Sequence, residues 1–318
     1  MSKSRAGNLP ASVRQRLLNI AKARGERFDL ILGYYAVERF LYRLAEAGYA
    51  DRFVVKGAML FTLWTGMAHR STRDLDLLGF GDMTADTLAR LVRELCRVTV
   101  EPDGIELDPE SVRVEPIRAG DEYAGQRVRV TATLSGARIP LQVDVGVGDV
   151  VTPPPEEIEY PGLLDAPVPR VRVYRKETVI AEKLHAMVDL GAANSRMKDF
   201  YDVWTMSREF PFDSSVLGDA IRATFERRRT PIPRDPPVAL REEFAHEPGK
   251  REQWAGFLRR HGLGEGGLEL RQVIENLSQF LMPLLGEPPE AGGPSKSWAP
   301  GGPWVTAEAT HREKGERG

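Results

Sequence analysis

The chain has 318 residues, enough for one large or two ordinary domains with a sizeable core. With 42% hydrophobic residues, 28% charged residues and a formal net charge of −2, it reads as a soluble globular protein lacking a global basic field, so any polyanion would have to meet local clusters. The single cysteine, Cys96, excludes an internal disulfide and a cysteine zinc cluster, and the five histidines are not spaced as metal pairs. The N-terminus has no apolar signal core and no apolar run approaches a membrane span, which points to a reducing cytoplasmic setting.

Residues 1–10 are polar. Ser12 is placed to cap a helix carrying Val13, Leu17, Ile20 and Ala21, and a second helix is expected over 30–47, closed by Gly48. Tyr34, Tyr35 and Tyr42 read as packing aromatics on this second helix. Phe53-Val54-Val55 is a short strand, broken by Lys56-Gly57 ahead of a helical run from Ala58 through Trp64. A strand, a glycine turn and a helix start can together receive an anion, although Lys56-Gly57 alone is only a turn.

A loop holding His69, Arg70, Thr72 and Arg73 leads into Asp74-Leu75-Asp76-Leu77-Leu78. As a strand, this stretch puts Asp74 and Asp76 on one face and Leu75 and Leu77 on the other. Two carboxylates side by side repel unless a cation sits between them, and Mg²⁺ takes oxygen ligands of this kind. Alone, such a pair reads as a solvated turn beside an edge strand.

An amphipathic helix over 84–98 contains Cys96 as a core thiol. Strands are then expected over 112–116, 127–134 and 139–147, joined at Ala119-Gly120-Asp121 and Ser135-Gly136-Ala137. In the third strand Leu141, Val143, Val145 and Val147 share a face, and Asp144 lies on the other. A lone aspartate there is ordinarily just solvated, but this one could lie beside Asp74 and Asp76. After Pro153-Pro154-Pro155 and an irregular stretch over 161–169, helices are expected over 177–190, 197–209, 214–229, 252–260 and 269–285. The residues after Gly286, rich in proline, glycine and charge, read as a disordered tail.

Two of the later helices carry polar clusters. Lys183, near the margin of an apolar stripe, is either an ordinary paired surface lysine or a point charge for triphosphate oxygens. Asp199 and Asp202 share a face, and Lys198 and Asp202 stand four residues apart; a helical salt bridge accounts for this, as does an acid orienting a catalytic lysine. The run Glu226-Arg227-Arg228-Arg229 is a dipole-complementing helix end or a grip on an RNA backbone. The GxGxxG spacing at 262–267 follows no strand, and no P-loop or GxSxG motif is present.

The segments FVVKGAM (53–59), RSTRDLDLL (70–78), LQVDVGVGD (141–149), AEKLHA (181–186) and RMKDFYD (196–202), in this order, resemble the AbiEii/AbiGii toxin family of type IV toxin–antitoxin systems. The resemblance implies an α+β fold, with a DNA polymerase β-like nucleotidyltransferase core over 28–170 and mixed sheet. A helical lead-in over 1–27 would precede it, with a helical domain over 171–286 and a tail over 287–318 following. It implies that Asp74, Asp76 and Asp144 bind Mg²⁺, that Gly57 and Thr72 face phosphates, that Lys183 contacts the nucleoside triphosphate, and that Asp199 or Asp202 supports the far side of the pocket. It further implies a cognate AbiEi-type antitoxin encoded nearby and transfer of a nucleotide from NTP to an acceptor, the 3′ end of tRNA first among candidates. Gly57-Ala58 stands where the wider superfamily has Gly-Ser or Gly-Gly.

Overall fold

The computed structural model describes residues 9–66, 74–117, 125–286 and 295–306. They fall into two compact units, one within Met1–Asp149 and Pro154–Tyr174, the other within Val150–Pro153 and Arg175–Gly318. Among the described residues no helix is long and apolar enough to cross a membrane.

The first unit runs α1 (Leu9–Arg24), α2 (Phe28–Glu46), β1 (Phe53–Lys56), α3 (Met59–Thr65), β2 (Asp74–Gly79), α4 (Ala85–Arg97), β3 (Glu106–Pro116), β4 (Gln126–Leu134), β5 (Ala137–Val147), β6 (Glu156–Glu159) and β7 (Arg170–Val173). Its strands form one mixed sheet in the order β3-β4-β5-β2-β1-β7-β6. Strand β2 is central, parallel to β5 and antiparallel to β1. Strand alternation decides what each face carries. Val55, Leu75, Leu77, Val128, Val130, Val143 and Val145 are all buried, none more than 3% exposed. Helix α2 packs over β5 and β7, and α4 against β3.

Helix α2 also buries charge. Arg43 donates to both carboxylate oxygens of Asp103 at 2.7 and 3.1 Å and to the Ile105 carbonyl at 3.1 Å. Tyr35 is the packing aromatic expected of it, and its hydroxyl donates to the Asp103 carbonyl at 2.7 Å. Strands β4 and β5 join through Ser135 and Gly136, both at positive φ (46° and 79°), the conformation of a two-residue hairpin whose twist suits the flanking strands. Cys96 is half-buried, and burial pushes its thiol up to about 11, as suits an inert side chain.

The second unit contains α5 (Lys176–Leu190), α6 (Met197–Glu209), β8 (Phe212–Asp213), α7 (Ser214–Arg227), α8 (Glu242–His246), α9 (Pro248–His261), α10 (Leu270–Leu281), β9 (Lys296–Trp298) and β10 (Trp304–Thr306). Helix α5 packs on α6 and α7, and α10 on α6 and α8. Their meeting faces bury Ile180, Leu184, Phe200, Met206, Ile221 and Leu277. Asp213 caps α7, accepting from the backbone N–H groups of Ser215 and Val216.

Several elements depart from the sequence expectations. Helix α1 already runs from Leu9, so Ser12 lies inside it and caps nothing. Strand β3 starts at Glu106, its register shifting between Asp108 and Arg113, where a bulge hides the alternation that strands normally show. Strands β6 and β7, which the sequence did not announce, flank the 161–169 stretch, itself irregular as expected. The expectation of a disordered tail fails over 295–306. There β9 and β10 pair with each other and β9 with β8, while Trp298 is 1% exposed and its indole N–H donates to the Ser207 carbonyl at 2.7 Å. The turn expected at Ala119-Gly120-Asp121 lies outside the described residues.

Candidate active site

The sheet of the first unit has a polar face, and its register sets the side chains there in rows. Directly opposed pairs share a face. Asp76 of β2 stands across from Asp144 of β5 on one side and from Lys56 of β1 on the other. Asp144 in turn stands across from Arg127 of β4. One row therefore reads Arg127, Asp144, Asp76, Lys56 across four strands. The next holds Arg129, Gln142 and Asp74. Leu75 and Leu77, buried on the opposite face, fix this orientation, because a slip of one residue would bury both aspartates.

Gly57 sits against this row. It ends β1 at φ +77°, and a Cβ built on it would lie 2.1 Å from Asp76 Oδ2. Only a residue without a side chain lets the backbone approach the carboxylate this closely. The resemblance implies that Gly57 faces phosphate; the structure sets it beside the carboxylate of Asp76. Lys56 donates to Asp149 Oδ2 at 3.0 Å, and its ammonium lies 5.3 Å from the centre of the Tyr174 ring.

Asp144 is held by Arg127 through two parallel bonds, Nε to Oδ1 at 2.9 Å and Nη2 to Oδ2 at 2.8 Å. The hydrogen-bonded Asp144 carboxylate, with Asp74 adding attraction, raises the guanidinium above its ordinary value, so Arg127 is a permanent cation. Arg129 is engaged by Glu115 at 2.6 Å. The donor chemistry of Asp74 and Asp76 fits a hard divalent cation. Asp144 is in the same row, but among the described residues no group of three or more His, Cys, Asp or Glu side chains is gathered closely enough to hold a metal ion. Arg127 lies in none of the quoted motifs; the signal that could have found it is its alternation parity with Asp144.

The second unit brings together Lys183, Asp199 and Asp202. Lys183 Nζ lies 2.6 Å from Asp199 Oδ1 and 2.8 Å from Asp202 Oδ2. Burial alone would lower the lysine, but the two carboxylates outweigh it and hold the ammonium above its ordinary value. Asp199 and Asp202, both buried, thus hold Lys183 in an ion-paired cluster between α5 and α6. In the basic run after α7, Arg228 Nη1 donates to His185 Nδ1 at 3.2 Å, while Arg227 and Arg229 are exposed. Thr72, with Arg70 and Arg73, lies outside the described residues.

Carboxylates in register on the open face of a mixed sheet are the equipment of a nucleotidyltransferase. The family model described as nucleotidyl transferase AbiEii toxin, type IV TA system, matches residues 39–276, so the chain belongs to that family. Membership implies an antitoxin partner. Among solved structures the chain is similar to JHP933 from Helicobacter pylori, at 15% identity over 78% of this chain and 89% of that one, with a TM-score of 0.45. It is also similar to an antigenic nucleotidyltransferase-like protein from Paracoccidioides brasiliensis, at 15% identity over 76% of this chain and 91% of that one, with a TM-score of 0.34. No curated protein matches the chain.

Proposed function

We propose that this nucleotidyltransferase is Mg²⁺-dependent and moves a nucleotide from NTP to a hydroxyl acceptor, with the 3′ end of tRNA as the first acceptor to test. The supporting observation is the row that sets Asp76 directly beside Asp144, with Asp74 on the same face. Asp74 and Asp76 would hold the cation, with Asp144 as the third carboxylate. When bound, the cation supplies charge neutralisation at the triphosphate and activation of the attacking oxygen. In the transfer, the acceptor oxygen bonds to the α-phosphorus while the bond to the bridging oxygen breaks. Pyrophosphate leaves with that electron pair, and the hydroxyl proton is given up to solvent. Gly57 lets the backbone lie close against the Asp76 carboxylate. In the second unit, Lys183, held by Asp199 and Asp202, is the nucleotide contact that the family resemblance implies. The antitoxin is proposed to be of AbiEi type and encoded nearby.

Incubation with each α-labelled NTP, Mg²⁺ and total RNA tests this reading. Label in RNA that depends on Asp74 supports it, and equal labelling by Asp74→Ala refutes it. A second reading, nucleotide binding without turnover, is favoured by the ion pair that occupies Asp144. Calorimetric NTP binding with no label in RNA, protein or small molecules would support that alternative.

A further inference from the structure

We propose that Arg127 is a positioning residue that keeps Asp144 out of the metal site until a triphosphate draws it away, so that cation and nucleotide bind cooperatively. This rests on the assignment of Asp74 and Asp76 as the cation's ligands. Four observations carry it. First, Arg127 engages both oxygens of Asp144 in a fork, at 2.9 and 2.8 Å. A divalent cation approaching Asp144 would meet a guanidinium charge already seated there, and like charges at such range repel.

Second, the register fixes Arg127 across from Asp144 and Asp144 across from Asp76, so the arginine sits next to the carboxylates, in the same row. Third, the Arg127 side chain is 30% exposed, against 17% for Asp144. A pair with this solvent access opens at less cost than the fully enclosed Glu38–Arg39 pair of α2. Fourth, the neighbouring Arg129 is paired to Glu115 and does not stand in for Arg127 on Asp144.

A guanidinium released from a carboxylate needs a ligand of the same planar, two-oxygen geometry, and phosphate provides one. The triphosphate would therefore take Arg127 as the cation takes Asp144. Each ligand removes an obstacle to the other, which is positive coupling between two sites.

The test measures Mn²⁺ binding by electron paramagnetic resonance, with inorganic tripolyphosphate as the phosphate probe and no turnover involved. Arg127→Gln is expected to bind Mn²⁺ alone about tenfold more tightly than wild type, a coupling of ordinary size. Tripolyphosphate is expected to tighten Mn²⁺ binding in wild type but not in Arg127→Gln, and adding Asp144→Asn to Arg127→Gln is expected to abolish the gain. Arg127→Lys, which keeps the charge but loses the fork, provides a second variant with an intermediate gain if the glutamine variant does not fold. Unchanged or weaker Mn²⁺ binding in folded Arg127 variants overturns the proposal. If Asp74→Asn and Asp76→Asn leave Mn²⁺ binding untouched, the metal site itself is misassigned, a distinct failure.

Discussion

At Gly57, the missing methyl group lets the backbone just after β1 lie against the side chain of Asp76. An alanine there would combine a positive φ with a contact to Asp76 that real structures do not tolerate. Gly57→Ala is expected to lower stability by about 1–3 kcal/mol. It should also displace Asp76 and slow transfer by about tenfold or more, read from thermal melts beside initial rates. Lys183 makes a different demand. Replacing it with methionine leaves two buried carboxylates facing one another, with an expected cost of about 3–5 kcal/mol at neutral pH. Because its folded value is raised, the stability Lys183 contributes is fully present below the ordinary lysine range and lost only as pH climbs beyond it. A pH titration of stability comparing wild type with Lys183→Met should therefore show a constant difference from neutral pH up to that range. A difference that shrinks between pH 7 and 9 would mean Lys183 is not held as a permanent cation.

At the scale of elements, α7 depends on the residue that caps it, Asp213, and β9 on its last, Trp298. Burial tends to raise the Asp213 carboxyl, but the Ser215 hydroxyl and the N–H groups of Val216 and Ser215 together outweigh it and hold it below its usual value. Its stabilisation is thus present above the ordinary carboxylate range and lost as pH falls through the lowered value. Asp213→Ala is expected to cost about 0.5–2 kcal/mol at neutral pH, with the gap to wild type closing in acid, as urea melts at several pH values would show. Trp298, packed against Phe280 at 4.7 Å and under Gly302, anchors the β9–β10 hairpin. Trp298→Ala is expected to cost about 3–5 kcal/mol, and a chain ending at Gly286 should melt at a similarly lowered temperature. Equal melting of wild type and truncated chain would show that the hairpin adds nothing to the second unit.

Across the whole molecule, what could be read in advance is what has a local cause. Leu75 and Leu77 made β2 and its paired aspartates legible, and the same alternation put Asp144 on a matching face. Helical spacing with clear ends located α2, α5, α6 and α10. Strands of three or four residues such as Glu156–Glu159 and Lys296–Trp298 are too short to show a period. Register is not written in any one segment either, so the Arg127–Asp144 fork emerged only when β4 was paired with β5. Likewise, the attachment of Lys183 to both Asp199 and Asp202 depends on how α5 and α6 pack, while their spacing offered only candidates.

One comparison decides whether the β2 carboxylates support metal-dependent nucleotidyl transfer. Wild type and Asp76→Asn, matched for fold by circular dichroism, are given α-labelled NTP, Mg²⁺ and deacylated tRNA, and label at the RNA 3′ end is counted. Label is expected with wild type, vanishing on chelation and falling by at least about a hundredfold in Asp76→Asn. Equal labelling by the two proteins, or labelling unaffected by chelation, would contradict that role for the carboxylates.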